Sequence, residues 1–168
     1  MANWTEADIT RQFNHAKANG WIPFFEASAA SHGFDAEFLL AIASRETNMQ
    51  NIKGDIQNGV AHGFGIMQVD IGTDPAFCAA WTPDKVQESV ERGTQILTEK
   101  RDSLAAKNIT DPKAIAAAYN TGQGNVIRSI QNGLDPDRTT TGHDYGADVL
   151  ARQAVFVKLR SMAAQSGT

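Results

Sequence analysis

The chain has one cysteine, no long hydrophobic run and no excess of positive charge, and each absence excludes a class of protein. Cys78 has no second cysteine with which to form an internal disulfide, so stability must come from an apolar core. The formal net charge of −4 argues against a nucleic-acid partner, which would need clustered Lys and Arg. The six-residue apolar run over residues 38–43 is too short to span a membrane.

The N-terminal residues also lack a basic stretch followed by an apolar segment, so we expect no signal peptide, and the localisation of the protein stays unknown. A length of 168 residues with 42% hydrophobic content is typical of one globular domain. We therefore expect a single domain over residues 1–168, acting as a monomer without a cofactor.

Helical periodicity runs through most of the chain and predicts a mostly helical α+β fold. Residues 48–62 are rich in Asn, Gln and Gly and are predicted to form a long loop, and residues 63–70 an extended strand. Residues 132–142 are predicted to form a polar loop. Asp35 is the predicted N-cap of the third helix. Helices are expected over residues 6–18, 23–31, 36–47, 84–107, 112–120, 125–131 and 143–164.

Glu46 ends the most apolar of these helices and is the first candidate for chemistry. Helical spacing puts it on the same stripe as three apolar residues, Leu39, Ile42 and Ala43. A carboxyl group in apolar surroundings keeps its proton to higher pH, because desolvation disfavours the anion, and it can then act as a general acid. Asp70, which lies beyond the glycine-rich segment, is a candidate for the ionised second carboxylate that glycoside hydrolysis requires.

Four ordered segments carry a resemblance to a known family. Residues 44–46 (SRE), 63–70 (GFGIMQVD), 118–126 (AYNTGQGNV) and 143–153 (HDYGADVLARQ) together resemble goose-type lysozymes and, more distantly, soluble lytic transglycosylase domains. The match extends over roughly residues 22–156. It implies a lysozyme-like α+β fold with a small β region beside a substrate cleft. It also implies cleavage of the β-1,4 bond between N-acetylmuramic acid and N-acetylglucosamine in peptidoglycan glycan strands, after release or lysis brings the protein to the wall.

The same resemblance implies roles for individual residues. Glu46 stands at the position of the family's general acid, and Asp70 at that of an aspartate that positions the hydrolytic water. Lytic transglycosylases generally lack such a carboxylate, so Asp70 favours hydrolysis. The residues expected to line the cleft or lie beside the bound sugar are Gln68, Phe64, Gly65, Tyr119, Asn120 and Tyr145.

The sequence departs from the goose-type pattern in three places. Gly59 occupies the position of a second family aspartate, and Asp55, four residues earlier, could share the positioning of water. Asp74 replaces a family histidine and would add charge to the cleft edge. The cysteines of animal members are absent, which favours a bacterial or phage protein.

Other interpretations stay open at this point. Glu46 could be a structural partner of Arg45, and Asp70 a turn residue. The function could be that of a lytic transglycosylase giving 1,6-anhydro products, or of an inactive peptidoglycan-binding domain. A metal site assembled from His62, Asp70 and His143 lacks helical ligand spacing, and no metal is predicted.

Overall fold

A computed structural model describes residues 4–166 and confirms the mostly helical α+β fold. The helices of this part of the chain are α1 (Glu6–Ala18), α2 (Ile22–His32), α3 (Ala36–Thr47), α4 (Pro75–Ala80), α5 (Val86–Ala105), α6 (Pro112–Thr121), α7 (Gln123–Gln131) and α8 (Tyr145–Ser166). Short 3₁₀ helices cover Pro136–Thr139 and Thr141–His143. One antiparallel sheet has the order β1 (Lys53–Gln57), β2 (Val60–Phe64), β3 (Val69–Asp70).

Helix α3 lies at the centre of the core. Its residues 38–43 are all buried, and it packs mainly against α8 and α2. A helix that is apolar around most of its circumference is stable only when other elements surround it. It ends at Thr47, where Asn48 takes the left-handed conformation with φ 52°. The last turn of α3, which carries Glu46, therefore lies at the edge of the core, and the packing of the rest of the helix fixes its position.

The predicted bounds of α1 and α3 are confirmed, and the other predicted helices shift by one to two residues at most ends. Asp35 is the N-cap of α3, as predicted, but the capping hydrogen bond expected from its side chain is not formed; its backbone carbonyl accepts from Phe38 N–H. Helix α4 was not predicted. The Asp74 side chain caps it by accepting from Phe77 N–H at 2.9 Å, which is the usual role of aspartate before a Pro-initiated helix.

The prediction of a long loop over residues 48–62 is wrong, because β1 and β2 form a hairpin there. Asn58 and Gly59 both have positive φ (50° and 79°), the conformation that a two-residue hairpin turn of the I′ type requires. The Asn-Gly pair was the sequence signal for this turn. The hairpin forms the small β region that the family resemblance implied.

The prediction of one strand over residues 63–70 is also wrong. Strand β2 ends at Phe64, the chain turns through Gly65 (φ 82°) and Gln68 (φ 52°), and β3 pairs back against β2. Ile66 and Met67 lie inside this turn and are fully buried. Their apolar side chains enter the core together, so the residues do not alternate between two faces.

The predicted polar loop over residues 132–142 contains a buried carboxylate. Asp137 is 2% exposed and accepts from the backbone N–H of Gly146 at 2.6 Å and of Ala147 at 3.0 Å. These N–H groups belong to the first turn of α8, where carboxylates are favoured. Asp137 thereby fixes the start of α8 and the position of Tyr145. No helix within residues 4–166 is long and apolar enough to cross a membrane.

Candidate active site

A cavity of about 320 Å³ lies between the helical body and the sheet and contains three carboxylates. They come from three separate elements: Glu46 from the end of α3, Asp55 from β1 and Asp70 from β3. The other residues that line the cavity are Gly63, Gln68, Tyr119, Asn120 and Thr141. Six of the predicted site residues are therefore brought together although they are distant in sequence.

Glu46 is half-buried, and its carboxyl group has an unusual environment. Burial raises its pKa from 4.5 to about 7, although a hydrogen bond from Tyr145 and the charge of Arg45 both favour the ionised form. The Tyr145 hydroxyl donates to Glu46 Oε1. Near neutral pH the group is therefore present in both protonated and ionised forms.

Arg45 does not pair with Glu46. Its guanidinium lies 3.3 Å from carboxylate oxygens of both Asp144 and Asp148, and over the Tyr145 ring at 5.5 Å from the centroid. Among the described residues, no cation forms a salt bridge with Glu46. The Arg45–Glu46 ion pair considered from the sequence is not formed. The charge of Glu46 is therefore neutralised only when the carboxyl group binds a proton.

Tyr119 and Asn120 close the cavity from the end of α6. The Tyr119 hydroxyl donates to the carbonyl of Met67 at 2.7 Å, and burial, together with the nearby Glu46, raises its pKa well above the ordinary value. Asn120 Oδ1 accepts from the backbone N–H of Thr141 at 2.9 Å. Thr141 thus joins the cavity wall, and no pattern in its polar surroundings had indicated this.

Asp70 is exposed, and the backbone holds one of its oxygens. Its Oδ1 accepts from the N–H groups of Gly72 at 2.8 Å and Thr73 at 3.2 Å. Its Oδ2 has no hydrogen-bond partner within the part of the chain that the structure describes. The turn therefore orients the carboxylate and leaves one oxygen free to bind solvent.

Gln68 lies across two glycines of the hairpin. A Cβ at Gly54 or at Gly63 would come within 2.1 or 2.3 Å of Gln68 Oε1, so a side chain at either position would displace the Gln68 amide. Gln68 Nε2 donates to the carbonyls of Ile52 at 3.0 Å and Gly65 at 2.9 Å. The amide group is therefore fixed in the cavity wall.

Asp55 reaches the cavity through an irregularity in β1. Gln68 covers the face of the strand to which a side chain at Gly54 would point. Regular alternation would direct the Asp55 side chain to the other face. Its φ of 47° departs from strand geometry, and its side chain lines the cavity. Gln57 Nε2 donates to both carboxylate oxygens, at 3.2 and 3.0 Å. The hairpin thus supplies a carboxylate although Gly59 occupies the matched family position.

Four predicted site residues do not line this cavity. Phe64 packs edge-on against Trp81, with ring centroids 6.1 Å apart, and a Cβ at Gly65 would come within 2.4 Å of the Ser89 hydroxyl. Asp74 caps α4 and receives a hydrogen bond from Arg92 Nε at 2.7 Å. The fourth, Tyr145, is 2% exposed and lies behind Glu46.

The cavity brings together groups that are suited to acid–base chemistry. Within residues 4–166, no three His, Cys, Asp or Glu side chains come together as ligands of a metal ion. One partly desolvated carboxyl group that shares a cavity with two exposed carboxylates can deliver a proton to a ligand while the others hold water.

Comparison with known proteins places the chain in a family. A family model described as "Lysozyme g" matches residues 13–159. The Lysozyme g of Epinephelus coioides is 32% identical over 134 residues, covering 73% of this chain and 67% of the relative. That of Takifugu rubripes is 35% identical over 128 residues, covering 70% and 64%. The chain thus spans about two thirds of the length of these fish proteins, and its origin from a bacterium or phage stays a prediction.

Proposed function

The chain belongs to the lysozyme g family of glycoside hydrolases, and on this premise we propose that Glu46 is its general acid. The substrate is the β-1,4 bond between N-acetylmuramic acid and N-acetylglucosamine in peptidoglycan. One observation carries the proposal: Glu46, with its pKa raised to about 7, shares a cavity with Asp55 and Asp70. A proton donor and carboxyl partners in one cavity are what glycoside hydrolysis needs.

Glu46 transfers its proton to the glycosidic oxygen as the bond from that oxygen to the anomeric carbon breaks. Because the Tyr145 hydroxyl occupies Oε1, the transferable proton sits on Oε2. Tyr145 therefore acts as a positioning residue, since it selects the oxygen that faces the substrate. The leaving sugar departs as a neutral alcohol.

Asp70 holds the attacking water through its free Oδ2 and accepts a proton from it as the water oxygen bonds to the anomeric carbon. Asp55, on the other edge strand of the sheet, assists. Attack from the face opposite Glu46 inverts the anomeric carbon, which requires carboxyl groups about 6.5–9.5 Å apart. A water molecule occupies about 30 Å³, so the cavity of about 320 Å³ has room for it beside a sugar. The products are then reducing ends with inverted configuration.

The product distinguishes hydrolysis from the lytic transglycosylase alternative. We expect mass spectrometry of digested peptidoglycan to show muramic acid reducing ends. The initial anomer, followed by NMR, should be α. Exclusive 1,6-anhydro ends would mean that the muramoyl 6-hydroxyl, rather than water, attacks the anomeric carbon, and would overturn the role given to Asp70.

The activity should fall as pH rises through about 7, because only protonated Glu46 can donate. The Tyr145 hydrogen bond favours the anion, so Tyr145→Phe should raise the pKa of Glu46 and move the alkaline limb of kcat/KM to higher pH. The measurement is a pH profile of reducing-end release for both proteins. An alkaline limb that stays in place in Tyr145→Phe would contradict the positioning role of the hydroxyl.

Asp70→Asn should lower kcat by about 100-fold, the lower end of the range for loss of acid–base assistance, and Asp55→Asn should lower it by less. The larger effect is expected at Asp70, because two backbone N–H groups orient its carboxylate, whereas within residues 4–166 Asp55 is held by the Gln57 side chain alone. Asp102→Asn, an exposed aspartate on α5, serves as the matched control. Asp70→Asn activity equal to that control would remove Asp70 from the mechanism.

A further inference from the structure

The segment that carries Asp70 is anchored on helix α5 at both of its ends. Before Asp70, Met67 packs so closely against α5 that a Cβ at Gly93 would lie 2.6 Å from the Met67 Cβ and 2.8 Å from its sulfur. After Asp70, the Asp74 carboxylate accepts a hydrogen bond from Arg92 Nε at 2.7 Å. Arg92 and Gly93 are neighbours on α5, so the same turn of this helix holds both ends of the segment.

Between these two anchors, the turn over residues 70–74 orients the Asp70 carboxylate. The backbone N–H groups of Thr73 and Asp74 both donate to the Asp70 carbonyl at 3.0 Å. Thr73 N–H, together with Gly72 N–H, also donates to the Asp70 side chain. Because every link in this turn is short, a shift of Asp74 is transmitted directly to the Asp70 carboxylate.

Strand β3 gives Asp70 little support of its own. The strand has two residues, Val69 and Asp70, which pair only with Phe64 and Gly63 of β2. Beyond the strand, the turn runs straight into α4, which Asp74 caps. Among the described residues, the hydrogen bond between Asp74 and Arg92 is the polar contact that joins the start of α4 to α5. This pair therefore fixes the far end of the turn.

The two carboxylate oxygens of Asp74 have separate roles. Oδ1 accepts from Phe77 N–H at 2.9 Å and caps α4, whereas Oδ2 accepts from Arg92. The Phe77 N–H and, to a smaller extent, Arg92 hold the pKa of Asp74 below its ordinary value. The Arg92 guanidinium is oriented in turn by Gln95 Oε1, which accepts from Nη1 at 3.2 Å. The ion pair can therefore be removed without removing the helix cap.

We propose that Arg92 is a positioning residue: through Asp74 it sets where the Asp70 carboxylate lies in the active-site cavity. This inference rests on the proposed function, because it takes Asp70 as the residue that holds the attacking water. The residues that line the cavity do not include Arg92 or Asp74, so neither is a catalytic residue. Such support matters because a misplacement of about 1 Å can lower a rate by as much as about 100-fold.

The first test is Arg92→Met, which keeps an aliphatic chain of similar length but has no charge and no hydrogen-bond donor. It should lower kcat for reducing-end release by about 10-fold, since a displaced Asp70 retains part of the function that Asp70→Asn loses. KM should stay at the wild-type value, because Arg92 does not line the cavity. Arg92→Lys keeps the positive charge and should retain most of kcat.

Asp74→Asn removes the same ion pair from its other side. Asparagine keeps an oxygen that can accept from Phe77 N–H, so the cap of α4 stays, but its neutral amide attracts Arg92 far less. It should lower kcat as much as Arg92→Met does. The two substitutions together should cost no more than either alone, because both remove one contact.

A double-mutant cycle with Asp70→Asn separates positioning from a general loss of structure. Once Asp70 has lost its charge, its exact placement no longer affects the attack of water. Arg92→Met should then change kcat by less than about twofold, which is the accuracy of such cycles. The alkaline limb of the pH profile should stay in place in Arg92→Met, because the charge that lowers the pKa of Glu46 is that of Arg45.

Arg101→Met is the matched control. Arg101 also lies on α5, its side chain is 28% exposed against 23% for Arg92, and it too pairs with an aspartate, Asp102. Because Arg101 also donates to the His32 carbonyl at 2.6 Å, its loss should lower the melting temperature at least as much. It should leave kcat unchanged.

Three results would overturn the role of Arg92: an unchanged kcat in Arg92→Met, an equal loss of kcat in Arg101→Met, or a loss that persists in the Asp70→Asn background. A shifted alkaline limb would also overturn it, because Arg92 would then act on Glu46. In each of these cases the wild type still cleaves peptidoglycan. A wild type that releases no product would instead overturn the proposed function, and the role of Arg92 with it.

Discussion

Replacing Glu46 with glutamine is expected to lower kcat/KM for peptidoglycan cleavage by about 10³-fold, the magnitude of lost general acid catalysis. Glutamine keeps the shape of the side chain and can still accept the Tyr145 hydrogen bond, but it carries no transferable proton. Clearance of a bacterial wall suspension and release of reducing ends both measure the loss. Activity retained in Glu46→Gln would remove this residue from the mechanism.

The same variant should be at least as stable as the wild type, which separates a catalytic role from a structural one. Between pH 4.5 and about 7 the native protein keeps a proton on Glu46 that the unfolded chain has lost. The free energy of unfolding of the wild type therefore falls as pH rises through this window. Glutamine has no such titration, so the melting temperature of Glu46→Gln relative to wild type should rise between pH 5 and pH 8.

The matched control for this comparison is Glu88→Gln, an exposed glutamate on α5 outside the cavity. It should leave both activity and the pH dependence of melting unchanged. A Glu46→Gln variant that melts well below the wild type at pH 8 would mean that the carboxylate stabilises the fold and that the raised pKa is wrong.

Asp148→Ala is expected to lower the free energy of unfolding by about 3–5 kcal/mol, the cost of removing one partner of a buried ion pair. Asp148 is 4% exposed and accepts from Arg152 Nε at 2.8 Å, while Arg45 Nη1 lies 3.3 Å away. The indole N–H of Trp4 donates to its other oxygen. Removing the carboxylate leaves two arginines without their shared partner, one of them 5% exposed.

Thermal unfolding measures this effect, and for a chain of this length the melting temperature should fall by roughly 10 °C. Asp144→Ala is the matched control, because Asp144 also pairs with Arg45 but its side chain is 33% exposed. Its cost should be below about 1 kcal/mol. Equal melting temperatures for the two variants would show that Asp148 contributes no more than a surface charge.

The Asp148→Ala substitution should also disturb the last turns of α3, which carry Glu46. Arg152 Nη1 donates to the carbonyl of Ser44 at 3.1 Å and to its hydroxyl at 2.7 Å, and Ser44 lies two residues before Glu46. This network couples α8 to the last turns of α3. The packing of these two helices therefore positions Glu46 as well as stabilising the core.

The sequence was sufficient to predict α3 and the placement of Glu46 on it. Helix periodicity is a local property, so the stripe formed by Leu39, Ile42, Ala43 and Glu46 is visible without any knowledge of the rest of the fold. The order of the four family segments was equally visible, and the family match confirms the interpretation drawn from them.

The β region could not be predicted in the same way. Residues 65–68 have the apolar content of a strand, yet they form a buried turn because Gly65 and Gln68 take positive φ. The hairpin before them was accessible through Asn58 and Gly59. The contribution of Asp55 was not, because it depends on one left-handed residue within a strand.

The chain itself therefore determined seven of the eight α-helices described, the family and the identity of the candidate acid, all of which follow from neighbouring residues and ordered motifs. Only the tertiary structure decided how that acid behaves. Tyr145 and Glu46 are 99 residues apart, and their contact exists because Asp137 fixes the start of α8 against α3. The ionisation of a carboxyl group depends on burial and on charges brought near it through space, and no local periodicity encodes either.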